Sequence, residues 1–328
     1  MPRLEIALIG AGLIARLHLD SWLRLGATVR VYSTDGRNRE LAAEFGAIAA
    51  DSLEDALFGV DVVDICTPTA THRDIAMAAI AIGVHIVCEK PLSASAAEAE
   101  EIVRAAQAAR VRLYPAHDIR YAPAFARLRE LVAGGSLGTG TLARFSVAGY
   151  HPRPWSGTAS AQSGGILTDQ LLHGVDLAYW IFGDVVRVHA RYQGELAAPA
   201  PEGAAATGTV LLTHADGALS QIVCRWTATP QPPVRVTYHV SGTGGTVAYD
   251  SQWPQEITVT GDAAGLAGAF GESVFDLELR EFAEAFLGGP PPRLSARDAL
   301  ATTRITAAAA ESAWTGRAVD LPLPMGVS

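Results

Sequence analysis

The sequence is poor in cysteine, in basic residues and in long apolar runs, and each shortage excludes a class of protein. Its three cysteines, Cys66, Cys88 and Cys224, are too few and too scattered for a disulfide framework or a zinc site. A formal net charge of −9 leaves no basic excess for binding nucleic acid. No run approaches the roughly 18 consecutive apolar residues of a membrane span, and the first residues lack the plan of a signal peptide. These absences predict a reduced, cytoplasmic protein that binds neither nucleic acid nor membrane.

The sequence does contain enough apolar residues for two cores. Of its 328 residues, 49% are hydrophobic and 18% are charged, which excludes a disordered chain and favours two domains. Over residues 1–118, strand-like runs alternate with helix-like runs, which predicts an α/β fold with a doubly wound parallel sheet. From Val185 to about Thr260, strands follow one another without intervening helices, so a mostly antiparallel sheet is expected there. We therefore expect domains of residues 1–118 and 119–328.

The first stretch of the chain is typical of a dinucleotide-binding domain. Apolar residues that predict a buried strand lead to Gly10 and Gly12, and a helix-like run begins at Leu13 and Ile14. The first glycine allows a tight turn, the second lets a phosphate approach the backbone, and the alanine three residues later keeps the helix close to the strand. The helix N-terminus offers backbone N–H groups to a pyrophosphate. We therefore expect cofactor contacts from Gly10, Gly12, Leu13 and Ile14.

The end of the second strand bears on which dinucleotide is bound. A domain that prefers NAD places an acidic residue there for the ribose 2′-hydroxyl. This sequence has Ser33 instead, with Thr34 and Arg37 close behind. Hydroxyls and a guanidinium suit the 2′-phosphate of NADP better than a bare diol. Asp35 becomes the ribose ligand if the strand ends later, so the pattern favours NADP and leaves NAD open.

Two loops at the ends of later strands are expected to line the same crevice. Thr67 and Pro68 follow one strand, and Glu89-Lys90-Pro91 follows the next. Both lie at the carboxyl edge of the sheet, where ligands bind in open α/β folds. Proline biases the preceding residue away from helix, so the Lys90 ammonium can project into the crevice. On spacing alone, a surface lysine before a helix is an equally good interpretation.

A set of polar residues marks one predicted helix of the second domain, residues 167–182. Asp169 and His173 are four residues apart and Asp176 is three further on, so all three fall on one helix face. Apolar residues occupy the other faces, which suggests that the polar face lines a cleft. The alternative is an acidic residue at the helix N-terminus and a core histidine whose hydrogen bonds are satisfied. The histidines at positions 18, 72 and 85 lack partners at metal-ligand spacing, so no metal ion is expected.

Four motifs, taken in order, resemble those of the Gfo/Idh/MocA oxidoreductases, the family of glucose–fructose oxidoreductase and inositol dehydrogenase. They are the glycine turn, Cys66-Thr67-Pro68, Glu89-Lys90-Pro91, and Gly164-Gly165 followed by Asp169-x-x-x-His173-x-x-Asp176. The resemblance spans nearly the whole chain. It implies an N-terminal Rossmann domain and a C-terminal α/β domain with a large open sheet, which commonly serves as the oligomer interface. It also implies catalytic roles for Lys90, Asp169 and His173, with cofactor contacts from Thr67, Pro68, His72, Glu89 and Lys90.

This resemblance implies an NAD(P)-dependent oxidoreductase that moves hydride between nicotinamide and a secondary hydroxyl or carbonyl of a sugar, polyol or related cyclic compound. Imidazole, whose unperturbed pKa is about 6.5, suits proton transfer at neutral pH, so His173 is the favoured proton carrier. Lys90, kept charged, would stabilise the developing alkoxide. Asp169 would hold either partner by charge and hydrogen bonding.

Several further expectations are weaker. His117 and Arg120 fall near the domain junction and Trp155 lies in a loop that could cover the substrate, so each is a candidate for substrate binding as well as for ordinary packing. Two other functions stay open, a non-catalytic nucleotide-binding regulator and an NAD-dependent glycosidase of the same fold. The trio of Lys90, Asp169 and His173 counts against the regulator. A homodimer or homotetramer is expected to form through the C-terminal sheet.

Overall fold

The protein forms two compact units, seen in a computed structural model that describes residues 3–150, 166–167, 170–194, 205–227, 234–253, 257–261 and 272–323. The first unit contains Met1–Tyr121 and Glu272–Leu300, and the second contains Ala122–Gly271 and Ala301–Ser328. The sequence-based division after residue 118 assigns Glu272–Leu300 to the second domain, whereas the structure places this segment in the first unit.

A six-stranded parallel sheet forms the centre of the first unit, in the order β3-β2-β1-β4-β5-β6. Its strands are β1 (Glu5–Ile9), β2 (Thr28–Tyr32), β3 (Ile48–Ala49), β4 (Val62–Ile65), β5 (His85–Glu89) and β6 (Leu113–Ala116). The strand order reverses between β1 and β4, and in open α/β sheets ligands bind in the crevice beyond the carboxyl ends of such strands. This arrangement confirms the predicted doubly wound parallel sheet.

The helices begin and end where local signals place them. Ser52 and Ser95 accept backbone N–H groups at the starts of two helices, and Gly46 ends another in the left-handed conformation. The described helices are α1 (Leu13–Arg24), α2 (Asn38–Phe45), α3 (Leu53–Leu57), α4 (His72–Ala81), α5 (Ala96–Ala109), α6 (Pro123–Ala133), α7 (Gln170–Phe182), α8 (Val274–Phe286) and α9 (Ala296–Thr315). Short 3₁₀ turns cover Thr69–Thr71 and Asp118–Tyr121.

Apolar side chains cover both faces of the parallel sheet. Residues of α3, α4 and α5 pack on one face, around Ile86. On the other face Leu19 and Trp22 of α1 pack with Leu279 and Phe282 of α8. Helix α8 therefore belongs to the first unit because its apolar side completes this second core, which periodicity within the helix does not reveal.

An eight-stranded sheet forms the second unit, in the order β13-β12-β11-β7-β10-β9-β8-β14. Its strands are β7 (Leu142–Tyr150), β8 (Val185–Gln193), β9 (Ala206–His214), β10 (Leu219–Thr227), β11 (Arg235–Gly242), β12 (Gly245–Asp250), β13 (Ile257–Gly261) and β14 (Val319–Asp320). Neighbouring strands are antiparallel except β7 and β10, which run parallel. The sheet confirms the prediction of a large, mostly antiparallel C-terminal sheet.

Helix α7 packs on one face of this sheet, against β7 and β10. A Cβ atom on Gly174 would lie 2.5 Å from Cγ2 of Ile222, so glycine lets the helix approach β10 closely. Side chains that alternate with the buried ones along these strands are half-exposed or exposed, including Leu142, Leu211 and Leu219. No described helix is long and apolar enough to cross a membrane.

Candidate functional site

The turn after β1 holds a position that only glycine fits. Gly10 has a φ of +122°, and a Cβ atom built on it would lie 2.3 Å from the carbonyl oxygen of Cys66. Its N–H donates to the carbonyl of Tyr32 at 2.8 Å. The turn therefore lies in close backbone contact with the ends of β2 and β4. The glycine pattern predicts such a tight turn for a dinucleotide-binding loop.

The start of α1 provides room and donors for a pyrophosphate. Gly12 is the N-cap residue, no side chain caps the helix, and its first turn has no acidic residue. A Cβ atom on Gly12 would meet nothing within 4 Å in the described part of the chain. Leu13 is exposed and Ile14 half-buried beside this open space. Unused backbone N–H groups and an open approach over glycine fit the phosphates of a dinucleotide cofactor.

The loop after β2 is organised by Asp35. Its carboxylate accepts the Ser33 hydroxyl, the backbone N–H of Arg37 at 3.2 Å and Nε of Arg37 at 2.6 Å. The Ser33 hydroxyl and Arg37 together hold the pKa of Asp35 below its ordinary value. Thr34 is exposed beside them. The predicted cofactor-selecting residues thus lie together, with an ionised carboxylate at their centre.

His72 joins the two loops that follow β4 and β5. Its Nε2 lies 2.8 Å from the carbonyl oxygen of Thr67, and its Nδ1 lies 2.9 Å from that of Pro91. Burial lowers the pKa of His72, while the two carbonyl acceptors oppose that shift. The ring is only 1% exposed. Its side chain therefore holds the Thr67 and Lys90 loops together, which differs from the predicted contact with the cofactor.

Lys90 stands half-buried on the second of these loops. Its backbone N–H donates to Oε2 of Glu89 at 3.0 Å, and the Lys90–Pro91 peptide is cis. Burial raises the pKa of Asp118, and Glu89 adds to this rise, whereas the nearby charges of Lys90 and His117 oppose it. The ammonium therefore stands in an environment of carboxyl groups at the carboxyl edge of the sheet.

A buried polar network lies behind this edge. Oδ2 of Asp64 lies 2.9 Å from Nδ1 of His18 and accepts Nε1–H of Trp22 at 2.7 Å, and the Sγ of Cys66 lies 3.4 Å from the same His18 nitrogen. The ligand atoms of His18, Asp64 and Cys66 lie within 4.8 Å of one another, a spacing that a metal ion would also accept. Because burial raises the pKa of the Cys66 thiol and hydrogen bonds occupy Asp64, we interpret the cluster as a hydrogen-bonded network.

Glu278 of α8 adds a further acid to this network. Its side chain is fully buried, and neither carboxylate oxygen has a hydrogen-bond partner in the described ranges. Burial raises the pKa of Glu278 well above its ordinary value, and the charge of Asp118 adds to this effect. Burial therefore favours the neutral, protonated form of this carboxyl. Sequence reasoning missed this network because its members come from α1, β4, β5 and α8, and no local spacing connects them.

The predicted catalytic helix of the second unit is present as α7. His173 is half-buried on this helix, as expected of a residue that lines a cleft. Asp176 is fully buried and does not have that exposure. The close fit of Gly174 on β10 sets the rotation of the helix and thereby the direction of His173. Asp169 and Trp155 lie outside the described residues.

Two predicted substrate ligands are buried inside the first unit. Arg120 is fully buried, lies 3.4 Å from Oδ1 of Asp298, and donates to the carbonyl of Arg293 at 3.4 Å. His117 is exposed by only 1%. These positions favour a structural role for Arg120, whose guanidinium links the Asp118–Tyr121 turn to the segment before α9. Polarity in the sequence does not distinguish such internal pairing from a ligand contact.

Comparison with known proteins covers nearly the whole chain. The model of the oxidoreductase family with an NAD-binding Rossmann fold (GFO_IDH_MocA) matches residues 4–117, and that of the GFO/IDH/MocA C-terminal domain matches residues 125–248. D-apiose dehydrogenase of Paraburkholderia graminis is 28% identical in an alignment of 346 positions that covers 98% of this chain and 90% of the relative. Myo-inositol 2-dehydrogenase of Thermotoga maritima is 26% identical in an alignment of 343 positions that covers 98% of this chain and 100% of the relative.

A solved structure supports the same grouping. GenD2 from gentamicin A biosynthesis, determined in complex with NAD, is 30% identical and superimposes with a TM-score of 0.85. The match covers 98% of this chain and 97% of that chain. A probable dehydrogenase from Thermotoga maritima superimposes with a TM-score of 0.80 at 26% identity, covering 97% and 98% of the two chains.

Proposed function

The chain belongs to the GFO/IDH/MocA oxidoreductase family, and from that premise we propose that Lys90, Asp169 and His173 carry its chemistry. The protein is an NAD(P)-dependent oxidoreductase, which confirms the prediction from its motifs. Its substrates are sugars, polyols or related cyclic hydroxy compounds, in keeping with the dehydrogenases named among its relatives. The first unit binds the dinucleotide, and the second supplies substrate contacts and the oligomer interface.

One observation carries the assignment of Lys90. It is the only lysine in the sequence, and every other basic residue among the 25 Lys and Arg is arginine. A chain that uses arginine at all its other basic positions does not need lysine for surface charge. A compact ammonium with three rotatable donors suits a reacting oxygen better than a planar guanidinium does. Its place at the end of β5 is the edge where open α/β sheets bind their ligands.

The proposed reaction divides the work among three side chains. Oxidation of a secondary alcohol requires loss of the hydroxyl proton while hydride leaves the carbon, and NAD(P), when bound, supplies the hydride acceptor. His173 takes the hydroxyl proton on a ring nitrogen. Lys90 donates a hydrogen bond to the same oxygen and stabilises its negative charge. Asp169 orients the proton carrier. Steady-state kinetics of Lys90→Met and His173→Ala test this division.

We also propose NADP as the preferred cofactor, with Arg37 as the ligand of its 2′-phosphate. Asp35 engages Arg37 through the backbone N–H and Nε, which orients the guanidinium and leaves its terminal nitrogens outside that contact. A guanidinium held in this way suits a bidentate contact with phosphate. In the alternative, the Asp35 carboxylate binds the ribose diol of NAD.

Arg37→Ala is expected to raise the Kd of NADPH about 10- to 100-fold, because charge-assisted hydrogen bonds contribute about 1.5–3 kcal/mol. The Kd of NADH should stay near its wild-type value. Isothermal titration of both nucleotides measures this, with Arg39→Ala as control, since Arg39 is a neighbouring exposed arginine paired with Asp51. If Asp35→Ala weakens NADH while Arg37→Ala leaves NADPH unaffected, the protein selects NAD.

We further propose that a second copy of the chain covers the open face of the eight-stranded sheet. Val223 of β10 lies half-exposed near the middle of that sheet, between Ser146 of β7 and Thr209 of β9. The exposed leucines of the same sheet, at 38–49% exposure, give this face an apolar character. An interface with this mixture of apolar and small polar side chains resembles a homodimer interface.

Val223→Glu is expected to convert the oligomer to a 34.4 kDa monomer, because it places a charge in the centre of the buried patch. Sedimentation velocity measures the change. Ile82→Glu is the control, since Ile82 is 58% exposed at the end of α4 in the first unit. A wild-type protein that sediments as a monomer, or a Val223→Glu variant that stays oligomeric, contradicts this interface.

A further inference from the structure

His18 connects the helix after the glycine turn to the loop that carries Lys90. It is fully buried in α1, with Nδ1 2.9 Å from Oδ2 of Asp64 and Nε2 3.3 Å from Oε1 of Glu89. The other oxygen of Glu89 accepts the backbone N–H of Lys90 at 3.0 Å. One imidazole is thus linked through one carboxylate to the Lys90 peptide.

The charges in this cluster explain why a histidine stands there. Two carboxylates buried without a cation would be strongly destabilised. Burial by itself lowers the pKa of His18, but the neighbouring Cys66 and Asp64 raise it well above its ordinary value. The imidazolium form of His18 is therefore favoured, with one N–H directed at Asp64. Its Nε2 lies 3.3 Å from Oε1 of Glu89, at ion-pair distance.

We propose that His18 is a positioning residue for Lys90, because its contact with Glu89 holds the carboxylate that anchors the Lys90 peptide. This inference rests on the proposed function, in which Lys90 stabilises the reacting oxygen. His18 itself is sealed in the core behind the strand ends, and its effect on turnover passes through Glu89. Without it, the Glu89 carboxylate loses the contact that holds it in place, and the Lys90 loop loses its anchor.

Two amide variants separate this role from mere packing. The amide of glutamine reaches as far from the backbone as Nε2 of histidine, so His18→Gln keeps a donor near Glu89. The amide of asparagine reaches only as far as Nδ1, so His18→Asn keeps the donor to Asp64 and loses the link to Glu89. We expect His18→Asn to lower kcat about 100-fold, the size of effect that misplacing a reacting group by about 1 Å produces. His18→Gln should retain more activity than His18→Asn, and the NADPH Kd of both should be close to wild type.

Because the sequence has a single lysine, the NMR signal of Lys90 can be followed directly. This signal should not change if His18 only stabilises the core. Protein labelled with lysine that carries ¹³C only at Cε has one Lys side-chain signal, and we expect His18→Asn to shift it. His214→Gln is the matched control, because His214 is equally buried and hydrogen-bonded to Gly183 and Ser220 within the second unit. This control should lower thermal stability without moving the Lys90 signal.

The outcomes distinguish this inference from the proposed function. If Lys90→Met retains turnover, the proposed role of Lys90 fails and the inference fails with it. If Lys90→Met is inactive while His18→Asn is as active as His18→Gln or more so, the inference alone is overturned. Should neither His18 variant fold, Glu89→Gln replaces them, since its single amide oxygen cannot serve both His18 and the Lys90 N–H. Wild-type kcat in folded Glu89→Gln overturns the inference.

Discussion

Lys90→Met is expected to lower kcat by about 10²–10³-fold while the Kd of the nucleotide stays near its wild-type value. Removing one preorganised donor from a developing oxyanion has a cost of this size. Methionine keeps the unbranched apolar stem of the side chain and removes the ammonium, so the loop held by Glu89 and His72 should keep its fold. Stopped-flow reduction of the bound nicotinamide measures hydride transfer directly.

Two further variants sharpen this experiment. Arg104→Met is the control for loss of a positive charge, because Arg104 is 75% exposed and paired with Glu100. It should leave kcat unchanged. His173→Ala should also lower kcat, by the 10²–10⁴-fold that a positioned general base contributes. Turnover that survives in both Lys90→Met and His173→Ala would show that the reaction takes place elsewhere.

Gly10→Ala is expected to abolish tight nucleotide binding and to destabilise the first unit. Its methyl group would lie 2.3 Å from the Cys66 carbonyl oxygen, and its φ of +122° is strained for any residue with a Cβ. The backbone strain alone costs about 1–3 kcal/mol. For a folding unit of about 150–250 residues, a loss of 1 kcal/mol lowers the melting temperature by about 2–4 °C. Calorimetry without nucleotide measures the loss.

Gly12→Ala is the matched comparison, because the same methyl group meets no atom within 4 Å in the described part of the chain. It should lower the melting temperature much less than Gly10→Ala does and still weaken nucleotide binding, since the methyl group stands where the pyrophosphate approaches the helix. Wild-type affinity in Gly12→Ala would place the phosphates away from this helix N-terminus.

The sequence predicts the glycine turn after β1 well because its signals are local. Gly10 and Gly12 lie between a run of apolar strand residues and a helix, and the turn they form depends on neighbours in the chain. The alternation of strands and helices likewise predicts the parallel sheet, and its loss after Asp118 predicts the antiparallel one. The proposed roles of Lys90, Asp169 and His173 come from the family resemblance, because residue spacing alone does not assign them.

What the sequence could not predict depends on contacts between distant segments. The pattern of α8 shows that one side is apolar, but only the folded chain shows that this side covers Trp22 of α1. From the sequence, Arg120 is a candidate both for substrate binding and for packing, and only the folded chain shows that its buried guanidinium lies beside Asp298. His18 and Glu278 stand 260 positions apart in the chain, yet the charge of His18 opposes the rise in the pKa of Glu278 that burial causes.

The most direct test of the proposed chemistry follows hydride itself. A panel of sugars and polyols, each deuterated at its carbinol carbons, is incubated with the purified protein and oxidised nucleotide, and mass spectrometry then detects deuterium on the nicotinamide. We predict deuterium transfer by the wild-type protein with at least one polyol, and its loss in Lys90→Met at unchanged nucleotide affinity. Sugar release without net reduction would indicate the NAD-dependent glycosidase. Nucleotide binding with no deuterium transfer from any compound, and no oxidation of reduced nucleotide by the matching carbonyl compounds, would contradict the account and favour a regulator.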